Sequence, residues 1–367
     1  MRVSSPTQLC GTQVDLSEST HIHRDDVPKW TKRVSPRPGD TLFSYETRLG
    51  EAGYWDRGDD AALGRRMGLL RPRPGKVNPR FLTYAYLSKQ FQERIRIGTL
   101  HGVTVDRIPV GDLPKWQIAL PPLAEQERIA GVLGAFDDLI EVNRRLVADL
   151  EGAVLALFAA AGFDAPPSDS AGSRLGDLIM INPRLTKPKG EAPYIDMAAL
   201  PTENAFIGSH TTRPAQGGAR FQNGDTLLAR ITPCLENGKT GVVTSLGPEE
   251  VGVGSTEFIV LRGVVHTAGV WSYCMARSPR FRTFAVQQLS DGTTGRQRLS
   301  AEAVANYRVR TPDPNALESF KAGSSPLFAA AAQLSTEIAD LTRQRDELLP
   351  LLMSGKVVVE PEGAPVP

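Results

Sequence analysis

Residues 120–158 read LPPLAEQERIAGVLGAFDDLIEVNRRLVADLEGAVLALF, and this stretch decides the architecture. Pro121 and Pro122 punctuate its start. Ala124, Glu125, Gln126 and Glu127 then supply helix formers with acidic charge in the first turn. Beyond them apolar residues recur every seven positions. Ile129, Phe136, Leu150 and Leu157 make one series, with Asn143 standing in it. Val132, Leu139 and Leu146 make a second, and Leu133, Ile140, Val147 and Val154 a third. Stripes sustained over about four heptads predict a long helix over 121–160 with a continuous buried seam, about 50 Å long at 1.5 Å per residue. Asn143 at a core-type position is the kind of residue that fixes register in such a seam.

A second stretch has the same character. Leu327, Leu334, Leu341 and Leu348 recur every seven residues, with Ala331, Ile338 and Leu352 in the adjacent stripe and Arg345 interrupting it. A second helix is predicted over 326–355, stopping at Ser354-Gly355. Neither helix has a neighbour of its own length in sequence, so the economical arrangement packs the two against each other, antiparallel. The segments 1–120 and 174–314 differ in kind. They are rich in Gly, Pro, Thr and Arg and carry short β-like runs such as Thr41-Leu42-Phe43, Thr226-Leu227-Leu228 and residues 257–261. They predict two small mixed α/β domains, joined by a linker at 161–173 and followed by a proline-rich tail at 356–367. The fold class is α+β.

The two domains are copies of one unit. Gly39-Asp40-Thr41-Leu42 recurs as Gly224-Asp225-Thr226-Leu227, and Val14-Asp15-Leu16 resembles Ile195-Asp196-Met197. Gly98-Thr99-Leu100-His101-Gly102 resembles Gly292-Thr293-Thr294-Gly295. Trp116–Pro121 and Tyr307–Pro312 each lead through a β-like run into proline and a long helix. Ordered matches at near-constant offset mark a tandem repeat with a pseudo-twofold arrangement. The opening of the second unit, Arg174–Asn182, has no counterpart in the first, which reads as shortened at its N-terminus.

Composition narrows the function. The chain has 367 residues, 41% hydrophobic and 23% charged, with 42 basic and 41 acidic residues giving a net charge of +1. That excludes a histone-like binder but permits positive charge confined to one face. The longest strongly apolar run, Ala153–Phe163, is far short of the roughly 20 residues a membrane span needs, and no signal peptide is predicted. Three scattered cysteines fit a reducing cytoplasm. Common catalytic signatures are missing. Gly238-Lys239-Thr240 resembles the end of a P-loop, but Pro233 stands where its first glycine belongs. His21 and His23 lack further metal ligands nearby, and Cys234 lacks the company of a cofactor-binding domain. The residues therefore predict a binding protein, not an enzyme, with no metal and no cofactor of its own.

The segment 120–129, leading to Asp137-Asp138-Leu139-Ile140-Glu141 and Asn143-Arg144-Arg145, resembles the central region of type I restriction–modification specificity subunits. Residues 348–356 resemble the end of that family's second helix, and residues 229–239 and 292–300 resemble parts of its target-recognition domains. The resemblance implies two target-recognition domains held apart by two antiparallel helices. Each domain reads one half of a split, asymmetric site in double-stranded DNA, and the helices fix the spacer. It further implies modification subunits, two of them, carrying S-adenosylmethionine and methylating adenine, and a restriction subunit that translocates and cuts.

For base readout the expected residues are polar and loop-borne, since arginine pairs bidentately with guanine and glutamine with adenine. They are Thr293, Thr294, Arg296, Gln297 and Arg298, with Arg230, Thr232 and Lys239 as a second set and Thr99 and His101 at the matching place in the first domain. Phosphate contacts are expected from Arg277, Arg280, Arg282, Arg296, Arg298, Arg308 and Arg310, and from Arg65, Arg66, Arg71, Arg73, Lys76 and Arg80. The rival expectation is a coiled-coil adaptor that binds protein ligands without DNA specificity.

Overall fold

Gly39 and Gly224 carry φ of +95° and +86°, a conformation that suits glycine, and each opens the same device. The next residue, an aspartate, folds back on the turn. Asp40 Oδ2 accepts from the Arg37 amide and Asp225 Oδ2 from the Gln222 amide, each at 2.8 Å. Both aspartates are buried, and both are forked by an arginine, Arg262 within the neighbouring strand and Arg71 just past the end of its own. Arg71 Nε and Nη2 lie 2.8 and 2.7 Å from Asp40, and the same atoms of Arg262 lie 2.7 Å from Asp225. The Gly-Asp-Thr-Leu repeat is thus one physical motif used twice.

The structure, a computed structural model, describes residues 1–5, 9–16, 19–58, 61–102, 105–167, 172–208, 210–264, 268–291 and 297–360. The chain forms two units, Met1–Glu141 with Asp340–Pro367, and Val142–Ala339. In the first, strand Asp40–Ser44 lies antiparallel between Ala52–Trp55 and Met67–Leu70. In the second, Thr226–Ala229 lies antiparallel between Thr240–Val242 and Phe258–Gly263. Helices Pro79–Leu87 and Lys89–Gly98 belong to the first unit, Ala268–Arg277 and Pro279–Gln287 to the second. Ser88 and Ser278 cap the second helix of each pair through the amides of Phe91 and Phe281.

Each unit also has a second sheet. Arg2–Ser4 runs parallel to Ala61–Leu63 and antiparallel to Thr20–His21, as Glu191–Ile195 runs parallel to Gly252–Gly254 and antiparallel to Thr211–Pro214. The amides of Gly64 and Ser255 close these sheets on the carbonyls of Ser4 and Ile195. The structural counterpart of Ile195 is therefore Ser4, not Val14 as the sequence match suggests. Val14 follows Gln13, which lies parallel to Tyr54 as Phe206 lies parallel to Val242. An apolar-acidic-apolar triplet fits two neighbouring places in such a fold and cannot fix the register alone.

One inequality between the units stands. Ile179–Ile181 pairs antiparallel with the outer side of Phe258–Gly263, and Ser173–Arg174 pairs with Arg308–Val309. Met67–Leu70 has no strand on its outer side among the described residues.

The long helices are Leu123–Ala160 and Pro314–Met353. The second starts earlier than the expected 326. Asp313 accepts from the Ala316 amide and caps a helix whose first residue is Pro314, so Pro326 falls inside it. At 38 and 40 residues the helices are about 57 and 60 Å long. In the first unit Leu133 clusters with Leu352, while Asp137, a turn further on, bonds Arg345, two turns earlier, so the two helices run antiparallel.

The buried seam differs from the expected stripes. On the first helix Ile129, Leu133, Ile140, Asn143, Val147 and Val154 are buried, Phe136 and Leu150 are half-buried, and Leu139 and Leu146 are exposed. Two charged residues, Asp137 and Glu151, lie inside the seam instead. On the second helix Leu317, Ser324, Ala331, Arg345 and Leu352 are buried, while Leu334, Leu341 and Leu348 flank them half-buried. Polar partners explain the buried charges. Arg345 Nη1 lies 2.8 Å from Asp137 Oδ1 and 3.3 Å from Thr12 Oγ1, and Tyr84 donates its hydroxyl to Asp137 Oδ2 at 2.5 Å. In the second unit Tyr273 donates to Glu151. Burial, reinforced by the adjacent carboxylate, pushes both phenols well above their usual range, so both remain donors. Among the described residues no helix is long and apolar enough to cross a membrane.

The open edge makes a local prediction. Hydrogen exchange should be faster, averaged over the amides, in Met67–Leu70 than in Phe258–Gly263, a strand with partners on both sides. Equal protection of the two strands would show that the edge of the first unit is covered.

Candidate nucleic-acid interface

In each unit the aspartate–arginine fork secures one end of the central strands. The other end gathers the loops. In the second unit Arg230, Ile231 and Thr232 continue the strand Thr226–Ala229 and run beside residues 297–299. The Leu299 amide donates to the Arg230 carbonyl at 2.8 Å, the Thr232 amide to the Gln297 carbonyl at 3.3 Å, and Ile231 pairs with Arg298. Gln297–Arg298 pairs in turn with Ser290–Asp291. Residues 230–232 and 297–299, which belong to the two polar segments singled out in the sequence, thus lie side by side. Thr293, Thr294 and Arg296 fall outside the described residues.

The first unit repeats the core of this arrangement. The Ile108 amide donates to the Tyr45 carbonyl, as Leu299 does to Arg230, and the Tyr45 amide donates to Arg66, as Arg230 does to Glu257. Arg107 pairs with both Glu46 and Leu100, as Arg298 pairs with Ile231 and Ser290. These bonds set the correspondence: Tyr45 with Arg230, Glu46 with Ile231, Arg66 with Glu257, and Arg107 with Arg298. Leu100 is therefore matched with Ser290.

The candidate side chains behave differently from one another. Arg298 forks onto Glu257, with Nε 3.1 Å from both carboxylate oxygens and Nη2 2.9 Å from Oε1. Gln297 is exposed and Thr232 half-exposed. Arg230 is half-buried, and its Nε has no hydrogen-bond partner among the described residues. Lys239 turns inward and donates to the Met197 carbonyl at 2.8 Å and to that of Ala198 at 3.5 Å. In the first unit Thr99 donates its hydroxyl to the Ile95 carbonyl and closes its own helix. His101 is exposed and faces Asp106 at 3.1 Å.

Many of the clustered arginines are engaged within the protein. Arg277 donates to the carbonyls of Thr202, Glu203 and Gly238, Arg280 to Ala165 and Arg308, Arg282 to Glu236, and Arg308 to Gly172. Arg80 pairs with Asp138 and lies over the Tyr54 ring. Guanidinium, with five donors in a planar fork, suits this work of tying carbonyls together. Arg65, Arg73, Lys76 and Arg310 are exposed. Residues with a different role, Asp137 and Glu151, escaped the sequence reading because charged side chains were counted as solvent-facing. Their spacing of two heptads in the helix is the signal that marks them.

Arg277 provides a test of this division. Its replacement by alanine leaves three carbonyls short of a donor and should cost about 2 kcal/mol of stability in urea denaturation. Burial already raises the Glu151 carboxyl, and the Arg277 guanidinium 4.0 Å away opposes that shift. A raised acid favours the folded state most below its unfolded pKa, and that stability is lost as pH rises through the folded pKa. In R277A the folded value climbs further, so the loss should extend to higher pH. Unchanged stability with weakened DNA binding would assign Arg277 to the interface instead.

Comparison with known proteins follows the same lines. Residues 17–152 match the family described as the type I restriction modification DNA specificity domain. The chain is 29% identical over 150 residues to the type I restriction enzyme EcoEI specificity subunit of Escherichia coli, a match covering 38% of this chain and 24% of that one. It is 24% identical over 321 residues to the type I restriction enzyme MjaIX specificity subunit of Methanocaldococcus jannaschii, covering 79% of this chain and 71% of that one. In fold it resembles the crystal structure of a type I restriction–modification system S subunit from M. genitalium, with a TM-score of 0.50 and 20% identity, covering 86% of this chain and 83% of that one.

Proposed function

We propose that this chain, which is related to the specificity subunits of type I restriction–modification systems, is itself a sequence-specific DNA-binding subunit that reads a split, asymmetric duplex site. The observation that carries this reading is the repeated loop end. Two units present one backbone framework with different side chains: Tyr45, Glu46, Arg66 and Arg107 in one, Arg230, Ile231, Glu257 and Arg298 in the other. A common mount with unlike polar groups is what two readers of unlike half-sites require. The adaptor alternative gives no reason for that combination.

In this reading each unit is a target-recognition domain and the paired helices set the spacer between half-sites. Methyl transfer belongs to modification subunits, two of them, that carry S-adenosylmethionine, and a restriction subunit joins the assembly. This chain contributes recognition and positioning, not catalysis. Phosphate contacts add a nonspecific component that falls steeply with salt.

The spacer role is tested by shortening both helices together. Val142–Ala148 and Gln333–Ala339 are single heptads on the two helices. Deleting both shortens the paired helices by about 10 Å, or about three base pairs at 3.4 Å each. The complex with modification subunits should then protect the same two half-sites in a footprint, with the spacer reduced by about three base pairs. An active complex with an unchanged spacer contradicts the role of the helices, and a complex that protects no pair of separated patches contradicts DNA recognition itself.

A further inference from the structure

We infer that Arg107 is the guanine-reading residue of the first unit, whereas its counterpart Arg298 is a fixed part of the frame. The inference rests on the DNA-recognition reading and goes beyond it by assigning one side chain to one kind of base.

The two arginines share a backbone position but not a charge environment. In the second unit Glu257 stands at the start of the strand beside Arg298 and takes its guanidinium in a fork. In the first unit the position of Glu257 is held by Arg66. The carboxylate has moved to Glu46, at the place of Ile231, and Arg66 Nε binds it at 3.2 Å. The local ion pair is thus completed without Arg107. The Arg107 side chain is exposed and has no hydrogen bond or ion pair among the described residues. Its backbone, by contrast, is held, exchanging hydrogen bonds with Leu100 at 2.9 and 3.0 Å and pairing with Glu46 on the other side. A free guanidinium on a fixed mount is the arrangement that base readout needs, because geometry is set by the backbone and both donors of the fork remain available.

The turn beside it is strained. Thr47, next to Glu46, has φ of +65° and an exposed side chain, and its hydroxyl donates to the Glu46 carbonyl at 2.6 Å. A β-branched residue in the left-handed region is an outlier, and such strain collects at binding sites. Arg66, with φ of +71°, is a second non-glycine residue in the left-handed region in the same cluster. The His101–Asp106 pair lies next to the Leu100–Arg107 bridge. The geometry suits a fork aimed at the O6 and N7 acceptors of guanine in the major groove.

The test uses the full chain assembled with its modification subunits, and duplexes in which each base pair of the first half-site is replaced in turn. Arg107→Ala should relax discrimination at one G·C pair by about tenfold to a hundredfold. The second half-site should be read as before and the melting temperature should not change. Arg107→Lys keeps the charge but should not restore the discrimination, since an ammonium lacks the planar fork. Arg298→Ala should lower the melting temperature. Uniform weakening on every sequence, with the salt slope reduced by about one, would make Arg107 a phosphate contact and overturn the assignment. An unaltered ranking of sequences by R107A would overturn it as well. A wild-type complex with no sequence preference would remove the recognition role and this assignment together.

Discussion

A buried carboxylate held in an arginine fork anchors each half of this protein. Asp40 with Arg71 and Asp225 with Arg262 join adjacent strands at one end of each central sheet, and the same aspartate closes the turn before the strand. A buried charge is tolerated when it is paired and its remaining acceptors are filled, as here by backbone amides. Fixing one end of the strands determines where the other end delivers its loops. The repeated backbone bonds around Tyr45 and Arg230 follow from that constraint, and the variable side chains are set upon it.

The same chemistry recurs where the long helices meet each other and the shorter helices of each unit. Asp137 receives Arg345 and Tyr84, and Glu151 receives Tyr273. An apolar seam tolerates a slip of one heptad, whereas a seam with buried carboxylates needs each partner opposite its acceptor. The register that Asn143 was expected to supply thus has two further determinants. The sequence conveys the length of the helices and their sevenfold period. It conceals these determinants because a periodicity search scores charged residues as outward-facing. The start of the second helix was concealed for a related reason: Pro326 reads as a first-turn proline, while the capping aspartate that opens the helix lies well before it.

The tandem repeat was legible from Gly-Asp-Thr-Leu because that motif carries a complete local structure: a left-handed turn, a cap, a buried charge and a strand. The match of Val14 to Ile195 carried only polarity and misplaced the alignment. Arginine clusters were similarly ambiguous. Composition locates them, but only coordinates show that Arg277 binds three carbonyls, and Arg107, whose guanidinium points to no partner among the described residues, lies outside both clusters. Linear spacing also could not reveal that the segments around 230 and 298 are neighbours, since strand pairing joins them across a long stretch of chain.

The central claim, that the two units read two halves of one DNA site for a methylating partner, is tested most directly by sequencing the methylated bases of a host genome with and without this gene. The account predicts one asymmetric motif, split by a spacer of fixed length and methylated on adenine, that is fully modified when the gene is present and unmodified when it is deleted. An identical set of methylated motifs in the two strains would contradict it.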